Sequence, residues 1–380
     1  MSYFFDAINR QLRAPKRQRV RHARAKAFQC VCGQPVFFSN TECLNCHRQL
    51  GFDPKRGHVI ALDDAPGGIL RESGKVRGKT YKRCGNFSLP ALCNWLVPAQ
   101  SPDTLCLACN LNRTIPDLSV PENGPLWFKV EAAKRQMIAQ VMTLGLPIRR
   151  SVAPDDGGLA FDLLAPVDDG TPLLTGHAQG LITINIREAD DAYRVKVRED
   201  MHEPYRTLLG HFRHEIGHYY WDQLIAPGPW LEPFRQVFGD ERADYGEALQ
   251  RNYEQGPPAD WELHYISTYA SCHPWEDWAE TWAHYLHMMD TLDTAISFGV
   301  TRTAVEQSYE PFTKEALYDP EDPDGQAFLD LVNAWVALTG VLNELARSMG
   351  QRDFYPFVLP ADVIGKLQFV HRVVKGASAG

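Results

Sequence analysis

Eight of the nine cysteines in this 380-residue chain fall before residue 110, in two groups of four: Cys30, Cys32, Cys43, Cys46, then Cys84, Cys93, Cys106, Cys109. Nothing else in the sequence restricts the fold as strongly, because four thiols close together in a chain either grip one ion or cross-link in pairs. Cys43-Leu-Asn-Cys46 and Cys106-Leu-Ala-Cys109 are CxxC knuckles, whose short turn brings two thiolates onto one tetrahedral ion, and each has two further cysteines upstream. Two structural four-cysteine zinc sites are expected. Cys30-Val-Cys32 is tighter than a usual knuckle, and His47 stands beside Cys46 as an alternative ligand.

The redox state decides between zinc and disulfides. The N-terminal stretch is basic from Arg10 to Lys26 and lacks the apolar core of a secretory signal, so the chain is expected to be cytoplasmic and its cysteines reduced. No apolar run approaches 18 residues, so no membrane span is expected. A net charge of −8 argues against general nucleic-acid affinity and leaves residues 1–27 as a basic, solvated tail. Between the cysteine groups, short runs such as Val36-Phe37-Phe38 and Val59-Ile60-Ala61-Leu62 sit among glycines and prolines, as in small zinc ribbons held by metal more than by a core. Residues 28–120 are therefore read as the ribbon region. Its partner class, protein or nucleic acid, is open from composition.

From about Pro125 the pattern becomes helical: Val130, Ala133, Met137, Ile138, Val141 and Leu144 recur at helical spacing. Leu159–Leu164 and Gly180–Ile186 then read as strands, and Ile182–Ile186 is a candidate edge strand for an extended peptide. Two further helices close the chain, Phe328–Met349 and Pro360–Val374. The expected fold class is α+β, with N-terminal zinc-ribbon modules followed over residues 125–380 by a mainly helical domain with a small sheet.

Within that second part lies His214-Glu215-Ile216-Gly217-His218, an HExxH motif. On a helix, residues i and i+4 stand about 5–6 Å apart on one face, so both imidazoles can bind one zinc ion while Glu215 reaches its water. Leu208, Leu209, Phe212, Ile216, Tyr219 and Tyr220 give the segment an apolar face, so the helix is substantially buried and its polar triplet needs partners. A catalytic zinc takes three protein ligands. Glu241, 23 positions after His218, and Glu280, 62 positions after it, compete for the third place. Glu280 is preferred because Trp275, Trp278 and Trp282 form one face of its helix, which buries the other face carrying Glu276, Glu280, His284 and His287. Cys272 reads as a lone buried thiol.

The HEIGHYYWD helix, Ser267-Thr-Tyr269 and Glu276-Asp-Trp-Ala-Glu-Thr-Trp resemble the catalytic end of lethal-factor-type zinc metalloproteases, which carry HExGH, a tyrosine and then ExFAExF. That resemblance implies that the second glutamate of the late motif, matching Glu280, binds zinc and that the tyrosine, matching Tyr269, stabilises the reacting oxyanion. Over nearly all its length the chain also resembles a bacterial family of zinc-binding metallopeptidases with an N-terminal zinc-ribbon region, departing from it at Cys30-Val-Cys32, where the family has CxxC. The implied activity is a gluzincin-like peptidase acting on peptides or proteins, with one catalytic and two structural zinc ions and Glu215 as general base. The alternative is an adaptor whose ribbons bind protein or nucleic acid and whose zincin domain is structural or regulatory.

Overall fold

A computed structural model describes residues 26–379 except 76, 89, 154–155, 167–172, 174, 201–206 and 301–308; residues 1–25 of the basic tail lie outside it. Contacts divide the chain into two compact units.

The first unit comprises Arg21–Thr143 and Pro147–Met201. A two-stranded ribbon, β1 (Phe28–Gln29) with β2 (Pro35–Val36), leads into a five-stranded antiparallel meander of β3 (Gln49–Asp53), β4 (His58–Ala65), β5 (Ile69–Glu72), β6 (Thr80–Arg83) and β7 (Leu96–Pro98). Ile60, Leu62, Leu70, Tyr81 and Leu96 pack together in one buried cluster, and Leu50, Phe52, Val59, Trp95 and Val97 are buried as well. A second sheet has the order β10-β11-β9-β8, from β8 (Asn112–Thr114), β9 (Ala160–Leu164), β10 (Gly176–Ala178) and β11 (Leu181–Asn185). The helix α1 (Asn123–Thr143) belongs to the same unit, as does α2 (Asp191–Asp200).

Strand β11 is not an edge. It pairs in parallel with β9 on one side and with β10 on the other, through the hairpin Gln179-Gly180, whose two residues take positive φ of 49° and 88°. Such a turn matches the twist of the strands it joins. The expected docking strand Ile182–Ile186 thus has its backbone already engaged, and the strand at that end of the sheet is β10.

The second unit contains Leu144–Leu146 and His202–Gly380 and is helical. Among the described residues its α-helices are, in chain order, α3 (Leu208–Tyr220), α4 (Leu231–Phe238), α5 (Tyr245–Gln255), the single turn α6 (Trp261–His264), α7 (Pro274–Ser297), α8 (Gly325–Ser348) and α9 (Ala361–Ala379). Helix α8 is long and apolar enough to cross a membrane by length and composition, yet 61% of its most apolar window is buried inside the fold, as in a core helix.

Helices α3 and α7 form the heart of this unit. Thr207 caps α3 by accepting from the Gly210 N–H at 3.0 Å, and His273 caps α7 by accepting from the Trp275 N–H at 3.1 Å, with Pro274 in the first turn. Gly217 lets the two helices touch: a Cβ there would sit 3.1 Å from Ala279 Cα and 3.2 Å from the Trp282 ring. The Gly217 carbonyl accepts the buried Trp278 indole N–H at 2.8 Å, and Trp282 stacks on Tyr220 with centroids 5.0 Å apart. At the far end Arg213 donates to Asp290 at 2.8 Å and to His287 at 2.6 Å. Gly217→Val should therefore wedge the pair apart, at about 1–3 kcal/mol for over-packing, which thermal unfolding measures directly.

Candidate metal centres

Both cysteine groups converge. In each, all four sulfurs lie within 4.8 Å of one another. The Sγ atoms of Cys30 and Cys46, of Cys32 and Cys43, and of Cys93 and Cys106 are each 3.6 Å apart. A disulfide needs about 2.05 Å, whereas a tetrahedral ion with Zn–S bonds of about 2.3 Å spaces its sulfurs by roughly 3.8 Å. The donor sets fit zinc. His47 does not join the first set; its exposed ring pairs with Glu42 at 2.8 Å.

The two sites differ in surroundings. Cys32 is exposed and Cys46 partly so, whereas Cys84, Cys93, Cys106 and Cys109 are all buried. Behind the second set, α1 brings Glu131 Oε2 to 3.8 Å from Cys109 Sγ, and Glu131 is itself paired at 2.6 Å with Lys134, whose side chain is wholly buried. Buried charges persist only when paired, and here the pair braces a thiolate cluster that carries negative charge of its own.

The third group is His214, His218 and Glu276. The two Nε2 atoms are 3.3 Å apart, and Glu276 Oε2 lies 3.0 Å from that of His214 and 3.6 Å from that of His218. That oxygen is buried and receives no hydrogen bond. Two imidazole nitrogens and a desolvated carboxylate oxygen converging on one point are donors of the type that a three-ligand zinc site uses. Burial alone would raise the Glu276 carboxyl, but His218 and His214 beside it hold it well below its usual value.

Glu280 differs from expectation. Its Oε1 accepts from His214 Nδ1 at 2.7 Å and its Oε2 from the Ser267 hydroxyl at 2.7 Å, so it sits behind the imidazole and outside the converging group. Burial would raise its carboxyl, but His214 brings it down to about 2. With the Nδ1 proton fixed on Glu280, the Nε2 lone pair of His214 is free to face the centre. Glu276 and Glu280 are one helical turn apart on the same stripe, so sequence pattern alone places both toward His214. Glu241 is remote in role: Arg235 holds both its oxygens, at 2.6 and 3.0 Å.

Glu215 is buried beside the histidines, and burial pushes its carboxyl up from the usual range. The Tyr269 ring lies 5.9 Å from that of His214, and burial likewise raises its hydroxyl pKa. Sequence reading missed Tyr245, whose hydroxyl donates to Glu276 Oε1 at 2.7 Å from the first turn of α5. No motif signals it; only the packing of α5 against the start of α7 does. Tyr245→Phe should leave the fold intact, since the residue is 36% exposed, while loosening Glu276 and weakening metal affinity at this centre by roughly 10-fold to 100-fold. Competition with a chelator of known affinity checks it.

Residues 123–373 match the model of a family described as "Putative zinc-binding metallo-peptidase", and residues 27–120 match a zinc-ribbon domain. The chain belongs to this zinc-binding metallopeptidase family and carries the ribbon at its N-terminal side. It is also 41% identical over 350 residues to uncharacterized proteins of Mycobacterium bovis and of two Mycobacterium tuberculosis strains, an alignment that spans 91% of this chain and 94% of each relative. No solved structure matches it. The family models meet near residue 120, whereas the contacts put the ribbon, α1 and the β8–β11 sheet in one unit, because β8 from the ribbon span pairs with β9 from the peptidase span.

Proposed function

We infer that the chain is a zinc-dependent peptidase whose catalytic ion is held by His214, His218 and Glu276. The observation that carries this reading is the buried Glu276 Oε2 without a hydrogen bond, 3.0 and 3.6 Å from two imidazole nitrogens. When bound, zinc supplies Lewis acidity, acidifying water and polarising a carbonyl oxygen. The protein's own residues do the rest. Glu215, one position after His214 on α3 and with its basicity raised by burial, takes the proton of the attacking water and hands it to the leaving amine. Glu280 fixes the tautomer of His214, and Ser267 fixes Glu280. Tyr245 holds the second oxygen of Glu276. Tyr269, whose ring lies against that of His214 and whose burial keeps it protonated, would donate to the carbonyl oxygen as it gains charge.

This reading differs from the lethal-factor-like expectation at one residue, exchanging Glu280 for Glu276 as the ligand. Two structural ions in the four-cysteine sites and one held by the two histidines and Glu276 make three zinc ions per chain. The test is cleavage profiling of a cell lysate with the zinc-loaded protein: new peptide termini should appear with the wild type and not with Glu215→Gln at equal zinc content. Identical profiles would reject the reading in favour of an adaptor with a structural centre.

A further inference from the structure

The short Cys30-Val31-Cys32 spacing has a product beyond metal binding. Val31, between the two thiols, is 54% exposed and forms one wall of a cavity of about 550 Å³ in the ribbon unit. The floor is apolar: Val59 and Ala61, which share the face of β4 opposite the core residue Ile60, are both buried. The buried Ser73 also lines the space.

The rim is charged. Lys55, Arg56 and Lys75 all line the cavity, and Glu72 is the one carboxylate that does. Glu72 Oε1 accepts from Arg56 at 2.9 Å and pairs with Lys75 at 2.6 Å, while the remaining face of Arg56 is held by Asp53 at 2.6 Å. Three cations thus meet two carboxylates. The excess falls on Lys55, which is exposed, keeps only its backbone N–H on Asp53, and has no side-chain ion pair among the described residues. A local surplus of one positive charge over an apolar floor is notable in a chain of net charge −8. The volume is that of a small-ligand site, where an apolar lining supplies contact and a few polar groups fix orientation.

We propose that this cavity binds a monocarboxylate with an apolar body, its carboxylate at Lys55 and its apolar part over Val59, Ala61 and Val31. That chemistry is shared by a free organic acid and by the C-terminus of a peptide ending in a hydrophobic residue. The site is independent of the peptidase centre, because every residue that forms it belongs to the ribbon unit.

The test is titration calorimetry on the full-length, zinc-loaded Glu215→Gln protein, which removes hydrolysis, with three probes: N-acetyl-Ala-Leu, the same dipeptide amidated at its C-terminus, and hexanoate. A carboxylate probe should bind saturably and the amide at least about tenfold more weakly, the loss expected for one charge-assisted contact. Lys55→Glu, at an exposed position, should weaken the carboxylates by at least about tenfold with the zinc content unchanged. Binding of the dipeptide but not hexanoate assigns the cavity to chain ends, and the reverse assigns it to free acids; either supports the proposal. Equal affinity for the amide, indifference to Lys55→Glu, or no saturable heat up to about 10 mM with any probe would overturn it.

Discussion

Replacing Glu215 by Gln should lower peptide turnover by about 10²-fold to 10⁴-fold, the range that general acid–base catalysis supplies, while leaving three zinc ions bound. The two effects separate because Glu215 is absent from the converging group of His214, His218 and Glu276 and its oxygens are not required to hold the ion. The amide keeps the size of the carboxylate, so packing on α3 is preserved. It also removes a buried ionisable group whose pKa burial raises, so the folded state should be as stable as the wild type or more so. The sign is fixed by linkage: a carboxyl whose folded pKa lies above its unfolded value costs stability once pH exceeds the unfolded pKa, and the amide escapes that cost. The check pairs an assay on a cleaved lysate peptide with thermal unfolding of both proteins.

The second large effect is expected in the ribbon. Cys106→Ser removes one ligand of a site whose four sulfurs are all buried, 3.6 Å from its neighbour Cys93. A structural zinc held by four thiolates contributes free energy of order 10 kcal/mol to a small metal-held fold. Loss should extend past the ribbon itself, since Glu131 and Lys134 of α1 are buried against this cluster and would be left bracing an empty space. Circular dichroism should show reduced strand signal and cooperative unfolding at lower temperature. Cys32→Ser, at an exposed ligand of the first site, should cost less.

How far the sequence revealed these features depends on the range of the interaction. The two four-cysteine sets and the HExxH helix are local patterns, and the structure brings each together. The strands at Leu159–Leu164 and Gly180–Ile186 and the helices at 328–349 and 360–374 were likewise legible from periodicity, ending within a few residues of β9, β11, α8 and α9. What local pattern does not encode is long-range. The choice between Glu276 and Glu280 turns on how far α7 is shifted along α3, which Gly217 and Ala279 set by contact and which no spacing rule encodes. The edge status assigned to Ile182–Ile186 ignored the Gln179-Gly180 turn, a two-residue hairpin signal that was present in the sequence and folds β10 onto β11. Tyr245 had no signal at all, being an ordinary residue of an amphipathic helix until α5 meets Glu276.

The proposed peptidase requires that Glu276, and not Glu280 or Glu241, complete the centre with His214 and His218. Zinc per chain, measured by elemental analysis after mild chelation and desalting, tests it directly. Wild type should hold about three ions, Glu276→Ala about two, and Glu241→Ala about three. Glu280→Ala should keep about three with affinity at the third site reduced roughly 10-fold to 100-fold, the effect of losing a carboxylate that orients a ligating histidine. Three ions in Glu276→Ala together with two in Glu280→Ala would contradict the account and return the ligand to Glu280.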